Sequence, residues 1–283
     1  MSYLTSILCG IVQGLTEFLP VSSSGHLAIF QAIVGDVTGN PLPEPVAFDV
    51  LLHLGTLLAV ILLYFKEIIV LVPGFFTMLG KFFKGKRRFS EYNENERFVL
   101  LILVATLPLV VGALLEHYLD FLDLLSGMLP VVGGILILNG ILLFFSDKAA
   151  RGRLTVGDAT PKMAFGIGAC QLLAILPGLS RSGSTITGGL LAGFTRETAV
   201  KFSFIMSLPA IAGACVLHLP DLFDAGVSGG EAAVYLAGAV SAMLVGLAAM
   251  KLLKWIAEKA SFKCFSFYCF AAGAATIVYG FLR

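Results

Sequence analysis

Glu17, three consecutive serines (Ser22, Ser23, Ser24) and His26 fall within ten residues, in the stretch EFLPVSSSGHL. Far along the chain, Arg181 stands between Ser180 and Ser182 in LPGLSRSGSTITGG. A serine hydroxyl becomes a nucleophile when a neighbouring base takes its proton, and Glu17 and His26 are the bases at hand. An arginine supplies a planar fork of donors suited to phosphate oxygens. These residue types therefore point to chemistry on a phosphate or diphosphate. Gln13 and Glu17, four apart, share a helix face. A divalent cation bridging diphosphate oxygens would neutralise charge there. No carboxylate cluster accompanies Glu17, so such an ion would have few protein ligands, as Mg²⁺ usually does.

The elements that carry these residues belong to a membrane protein. Of 283 residues, 58% are hydrophobic and 13% charged, and mean hydropathy is +0.93; a soluble domain carries about 25% charged residues. A net charge of +1 gives no basic field for nucleic acid, so no nucleic-acid partner is expected. The five cysteines have no metal-ligand spacing and read as small buried residues. Six segments reach the roughly 20 apolar residues that cross a bilayer: 46–65, 97–116, 128–146, 199–218, 232–253 and 262–282. Two more apolar regions, 4–34 and 163–194, are interrupted by LPVSSSG and LPGLSRSG. Each is expected to form a re-entrant pair of half-helices, the second halves starting near Ser24 and near Ser184. Basic residues cluster at 66–97, 148–162, 196–201 and 251–263, and are missing from 117–127 and 219–231. Six spans put every cluster on one side, the cytoplasm, with both termini outside. Only Arg181 and Arg283 depart from the pattern. The segment 67–83 has no assigned place in this scheme.

The two breaks resemble each other, with the serine blocks 158 residues apart, and FDVLLHLGTLLA aligns with FSFIMSLPAIAG. Each half, 1–154 and 155–283, holds one broken segment and three spans. Three is odd, so the second half must be inverted, a layout in which broken helices meet near the midplane. The expected fold class is therefore all-α and polytopic, with six full spans, two re-entrant helix pairs and an inverted repeat. Irregular backbone at membrane depth must face protein or a watery cavity. A helix start there exposes free N–H groups to an anion, and Ser and Gly permit close approach. Each polar residue also has a plainer reading. Ser22 and Ser182 could cap helices, Arg181 could merely pair with Glu17, and His26 could be a packing histidine. Asp49 and His53 are read as structural, His117 and His218 as interfacial, and Trp255 as an interfacial anchor.

QGLTEFLPVSSSGHL (Gln13–Leu27) and LPGLSRSGSTITGG (Leu176–Gly189) resemble the two signature motifs of the bacterial undecaprenyl-diphosphate phosphatases of the bacitracin-resistance type. The span order and FDVLLHLGTLLAV extend the likeness over nearly the whole chain. The resemblance implies an inner-membrane enzyme that removes the terminal phosphate of the C55 isoprenyl diphosphate on the extracytoplasmic face. It recycles the lipid carrier of wall synthesis, confers bacitracin resistance and needs Mg²⁺ or Ca²⁺. By position, Glu17 matches the family's essential second acid and a metal ligand, and Ser23 its proposed nucleophile. His26 matches the motif-ending histidine, and Arg181 the phosphate-binding arginine. Ser180, Ser182 and Thr185 match its polar neighbours, and Gln13, Ser22, Ser24, Gly25 and Gly183 join them as substrate contacts. Gln13 occupies the first position of an E/Q-x-x-x-E pattern and cannot act as a base. Ser23 and His26 remain alternatives for the nucleophile, and Glu17 and His26 for the base. The partners implied are a polyprenyl diphosphate and the bilayer; separately, small-residue faces such as GLLAG (Gly189–Gly193) could pack within the chain or against a second copy in a homodimer. A transporter or flippase of a lipid phosphate or small anion would use the same scaffold without the base, and a purely structural protein would leave Arg181 unexplained.

Overall fold

The computed structural model describes residues 1–39, 46–86, 88–116, 121–149, 152–220 and 228–283. They fold into α-helices: α1 (Tyr3–Phe18), α2 (Ser23–Thr38), α3 (Val46–Leu63), α4 (Phe65–Phe83), α5 (Glu94–Glu116), α6 (Phe121–Ser126), α7 (Leu129–Ala149), α8 (Pro161–Leu173), α9 (Arg181–Leu191), α10 (Arg196–Leu217), α11 (Gly229–Lys259) and α12 (Lys263–Leu282). Their starts follow capping chemistry. Ser2, Thr160 and Thr195 each accept a backbone N–H of the first turn, and Pro161 opens α8. Ser228 and Glu231 form a capping box on α11.

Six helices, α3, α5, α7, α10, α11 and α12, are long and apolar enough to cross a membrane, at the six expected places. The last two run to 31 and 20 residues. Helices α1 and α2 have 16 residues each, α8 has 13 and α9 has 11. At 1.5 Å per residue none of the four covers a hydrocarbon core of about 30 Å. The chain turns sharply between α1 and α2 and between α8 and α9, and the members of each pair pack together. The second half of the first pair starts at Ser23, one residue from its expected position. That of the second pair starts at Arg181, three residues before Ser184, because Ser180 and not a later serine is the cap. The unplaced segment is α4, which follows α3 after the joint at Tyr64 and packs on α5, with Lys81 bonded to Glu96 at 2.6 Å. It leaves Phe76, Phe82 and Phe83 exposed. An amphipathic helix lying in a membrane interface has this form.

Small residues set the closest helix contacts. A Cβ on Gly10 of α1 would stand 2.2 Å from the Gly238 carbonyl of α11, and one on Gly168 of α8 would stand 2.1 Å from the Ala105 carbonyl of α5. Gly133 and Gly273 oppose each other between α7 and α12. This is how helices associate where lipid offers no hydrophobic gain. The neighbours form a regular pattern: α1 lies on α11 as α8 lies on α5, α3 on α11 as α10 on α5, while α3 meets α10 and α7 meets α12. An aromatic group beneath the first break, with Phe18 edge-on to Phe204 at 5.6 Å and Phe204 against Tyr64, fills the core next to Glu17.

The cysteines are free and not uniformly buried. Cys9, Cys215 and Cys269 are buried and Cys170 is partly so, but Cys264 is exposed on the first turn of α12. Trp255 is exposed near the end of α11. Within the GLLAG stretch Gly189 and Leu190 pack inside the chain, a Cβ on Gly189 standing 3.0 Å from the Ala199 Cβ, while Leu191 is exposed. His117 lies outside the described residues.

Candidate active site

Glu17 ends α1, buried, and its carboxylate gathers three donors. Gln13 Nε2, one turn earlier, donates to Oε2 at 3.2 Å. Ser23 Oγ, the first residue of α2, donates to the same oxygen at 2.6 Å. Arg181 Nη2, the first residue of α9, donates to Oε1 at 2.6 Å. Both helix breaks thus converge on one carboxylate. Removing one partner of so buried an ion pair costs about 3–5 kcal/mol.

The Ser23 hydroxyl reaches Glu17 because the preceding residue bends the chain. Ser22 has φ 75° and ψ 108°, and is the sole non-glycine residue with positive φ among the described residues. For a residue with a Cβ such a conformation costs on the order of 1–3 kcal/mol and persists where its surroundings hold it. Ser22 Oγ accepts the Gly25 N–H at 3.3 Å, capping α2. Ser180 does the same for α9, accepting from Gly183 at 3.1 Å. Capping therefore falls to Ser22 and Ser180, at matching places in the two blocks. Ser182 instead donates to the Leu19 carbonyl at 3.2 Å, tying the second break to the first.

Asn139, fully buried on α7, joins the breaks from the side. Its Nδ2 donates to the Pro20 carbonyl at 2.9 Å and its Oδ1 accepts the Ser180 N–H at 3.3 Å. The sequence reading missed it, although the one signal was visible: an asparagine in the apolar run LILNGILL. Gly25 and Gly183 are needed for space. A Cβ on Gly25 would lie 3.2 Å from the Gly178 Cα, and one on Gly183 would lie 3.2 Å from Asn139 Oδ1.

A cavity of about 180 Å³ opens at this junction, lined by Thr16, Glu17, Ser23, Ser24, His53, Ala174, Leu179, Ser180 and Arg181. At about 30 Å³ per water it has the room of roughly six waters, enough for a small anionic group and not for a long apolar tail. The structure brings Glu17, Ser23, Ser24, Ser180 and Arg181 onto one wall system. Ser22, Gly25, Ser182 and Gly183 shape the backbone behind it, and Gln13 supports Glu17. Thr185 is turned away: its hydroxyl bonds Ser203 on α10 at 2.6 Å. His53, read as structural, is part of the cavity wall. Its Nδ1 lies 2.8 Å from the Asp49 carbonyl. It also lines a second cavity of about 300 Å³ with Asp49, Cys215 and His218.

His26 stands outside the cavity wall. Its Nδ1 lies 2.7 Å from the Ser22 carbonyl, and its Nε2 lies 2.7 Å from the Tyr268 hydroxyl on α12. Both ring nitrogens are engaged away from Ser23. The arrangement leaves Glu17 as the base in contact with the Ser23 proton, and Arg181 as the cation on the other oxygen of the same carboxylate.

Among the described residues no group of three His, Cys, Asp or Glu side chains stands close enough to hold a metal ion. One orphan atom belongs to a residue that touches the carboxylate: Gln13, whose Nε2 meets Glu17, has its Oε1 buried with no hydrogen-bond partner among the described residues. An amide oxygen next to a carboxylate is a hard donor pair.

The chain matches the family model described as bacitracin resistance protein BacA over residues 6–275. It is 38% identical over 283 residues to the undecaprenyl-diphosphatase of Methanosphaera stadtmanae, covering 98% of each chain. It is 39% identical to that of Desulfosudis oleivorans over 285 residues, covering 99% of each. With that of Syntrophotalea carbinolica it shares 40% over 273 residues, covering 96% of this chain and 97% of the relative.

Proposed function

The chain belongs to the family of the bacitracin resistance protein BacA, and from that premise we infer that it is an integral membrane phosphatase converting undecaprenyl diphosphate to undecaprenyl phosphate and inorganic phosphate. This activity recycles the lipid carrier of wall synthesis and confers bacitracin resistance. The observation that carries the chemistry is the 2.6 Å bond from Ser23 Oγ to Glu17 in a cavity walled by Arg181.

The cavity takes the diphosphate head, and the apolar helix faces take the prenyl tail. Arg181 keeps one donor on Glu17 and offers the rest of its fork to phosphate oxygens. The free N–H groups opening α2 and α9 add partial positive charge. Glu17 accepts the Ser23 proton as Oγ bonds to the terminal phosphorus. The bond from that phosphorus to the bridging oxygen breaks, and the lipid monophosphate leaves with the proton. A water then attacks the phosphoserine, giving one proton to Glu17. Phosphate departs, and Ser23 Oγ takes that proton back.

Glu17, with the amide oxygen of Gln13, would hold a hard divalent cation, Mg²⁺ or Ca²⁺, with few ligands from the chain. Such an ion would neutralise charge on the diphosphate. With Gln13 in place of a second acid, Glu17 would be its one charged ligand among the described residues.

The distribution of basic residues supports an orientation in which the pairs α1–α2 and α8–α9 are re-entrant from opposite sides of an inner membrane, the cavity faces the extracytoplasmic side and both termini lie outside. The neighbour pattern of the helices supports two inverted repeats, 1–154 and 155–283. The exchange of halves turns α1–α2, α1–α11 and α3–α11 into α8–α9, α8–α5 and α10–α5 and returns α3–α10 and α7–α12 to themselves. The packing of α9 on α7 and α10 has no equal counterpart among the described residues.

The test is phosphate release from undecaprenyl diphosphate by the purified protein in detergent, with Mg²⁺ or with EDTA. Wild type releases phosphate in the presence of the ion. Ser23→Ala abolishes release, and Glu17→Gln lowers it by about 10²–10⁴-fold, the range for loss of a general base. A binding-competent wild type that releases nothing, yet moves labelled lipid phosphate between leaflets of vesicles, would be a flippase. Release that survives in Ser23→Ala would move the nucleophile elsewhere.

A further inference from the structure

We propose that Tyr268 is a positioning residue for the nucleophile, acting through His26 to hold the turn at Ser22 that aims Ser23 at Glu17. The proposal rests on the phosphatase reading above.

The turn needs an external hold. Ser22 is in the left-handed region, and its Oγ bond to the Gly25 N–H is long at 3.3 Å. The Ser22 carbonyl receives the His26 backbone N–H at 3.3 Å and lies 2.7 Å from the His26 ring nitrogen Nδ1. The shortest of these contacts to Ser22 is thus made by the imidazole. A carbonyl oxygen can only accept, so Nδ1 carries the hydrogen. In the neutral ring Nε2 is then a bare acceptor. Tyr268 fills that requirement: its hydroxyl lies 2.7 Å from Nε2, and its ring lies nearly parallel to the imidazole, 12° between planes and 5.6 Å between centroids. The carbonyl thus sets the tautomer, and the hydroxyl, donating to Nε2, fixes the orientation of the ring that grips the carbonyl immediately before Ser23.

The anchor is firm and the thing anchored is not. Tyr268 sits on α12, which packs on α7 through Gly133, Gly140, Ser266 and Gly273. Within α2 only Gly25 and Leu27 are buried, so apolar packing fixes that helix weakly. Two polar ties to α12 compensate: His26 to Tyr268 near the break, and Asp36 to Tyr279 and Arg283 at the far end. The near tie alone touches the strained turn. The arrangement is the supporting shell that a catalytic hydroxyl requires, since small misplacement of a reacting group is costly.

The experiment compares wild type, Tyr268→Phe, His26→Ala, the double variant and Tyr279→Phe in the undecaprenyl diphosphate assay. It adds ¹⁵N NMR of histidine-labelled protein in detergent. Tyr268→Phe lowers kcat on the order of ten- to a hundredfold, the scale of a misaligned group, with KM unchanged. The double variant is no worse than His26→Ala, because the two residues act in series. Tyr279→Phe, which loosens α2 at its other end, keeps wild-type kcat. The wild-type spectrum shows His26 as the Nδ1–H tautomer with a hydrogen-bonded Nε2, and Tyr268→Phe shifts the Nε2 resonance to that of a free acceptor. Full activity in Tyr268→Phe, multiplying losses in the double variant, an equal loss in Tyr279→Phe, or an Nε2–H tautomer in wild type would each overturn the proposal. Wild type without phosphate release would instead overturn the phosphatase reading, and the NMR arm would still report on the tautomer.

Discussion

At the scale of single residues, the carboxylate of Glu17 and the amide of Asn139 divide the work of assembly. Glu17 collects the reacting groups, while Asn139 holds the two breaks at a fixed offset by using one donor and one acceptor. In Asn139→Ala the Pro20 carbonyl and the Ser180 N–H lose their partners in a buried setting, at about 1–3 kcal/mol for an unsatisfied group. We expect a lower unfolding midpoint together with a fall in kcat, since Ser23 and Arg181 are borne on the two segments that slip. Scanning calorimetry and the phosphate-release assay check both, and an unchanged kcat would show that the breaks stay aligned without α7. Glu17, Ser23 and Arg181 were legible in the sequence because ionisable or hydroxyl side chains are costly inside apolar runs. Their partners were not. Asn139 and Tyr268 meet the first break across 119 and 242 residues of chain, and no local spacing encodes a contact of that kind. His53 looked structural for the same reason: its i, i−4 bond to the Asp49 carbonyl is local, whereas its place in the cavity wall is set by tertiary packing.

Elements are positioned by where the backbone can come close. Gly168 and Gly166 stand two residues apart on α8 but face different surroundings. A Cβ on Gly168 would collide with the Ala105 carbonyl, whereas one on Gly166 meets nothing within 4 Å. Gly168→Ala is expected to destabilise by about 1–3 kcal/mol through forced separation of α8 from α5. Gly166→Ala is expected to be neutral or stabilising by up to about 1 kcal/mol, the difference in helix propensity. Thermal unfolding of the two variants in one detergent separates these outcomes, and equal midpoints would remove the glycine contact from the account of the fold. Run length was enough to find the six spans, because crossing a bilayer demands it. The start of α9 was less legible. Ser180, Ser182, Ser184 and Thr185 are all competent caps, and the choice falls to Ser180, whose N–H is also taken up by Asn139. For α4, Lys66, Glu67 and Lys81 interrupt an otherwise apolar 19-residue helix, so hydropathy alone left it without a place.

For the whole molecule, the remaining question is which end faces the cytoplasm, and the helices' polar ends give two markers. At one end Asp147 bonds Arg196 at 2.7 Å and the Ser261 hydroxyl at 2.7 Å, joining α7, α10 and the turn between α11 and α12 amid lysines. At the other, Arg283 pairs with Asp36 at 2.9 Å. That pairing gives a local reason for a basic residue that departs from the charge pattern. Cys264 lies at the first end, exposed and free, between Lys263 and the body of α12. Gly39, exposed and with open space around it, caps α2 at the second, with a φ of 68° at which a side chain costs about 1–2 kcal/mol. A membrane-impermeant maleimide should therefore label Cys264 in inside-out vesicles and not in intact spheroplasts, with the signal lost in Cys264→Ser. In a Cys264→Ser background, Gly39→Cys should label from the spheroplast exterior. The two thiols report independently on the same orientation. Labelling of both from one face would break the six-span topology. Labelling of each from the opposite face would keep the topology but turn the cavity toward the cytoplasm, where it would meet a different pool of lipid diphosphate.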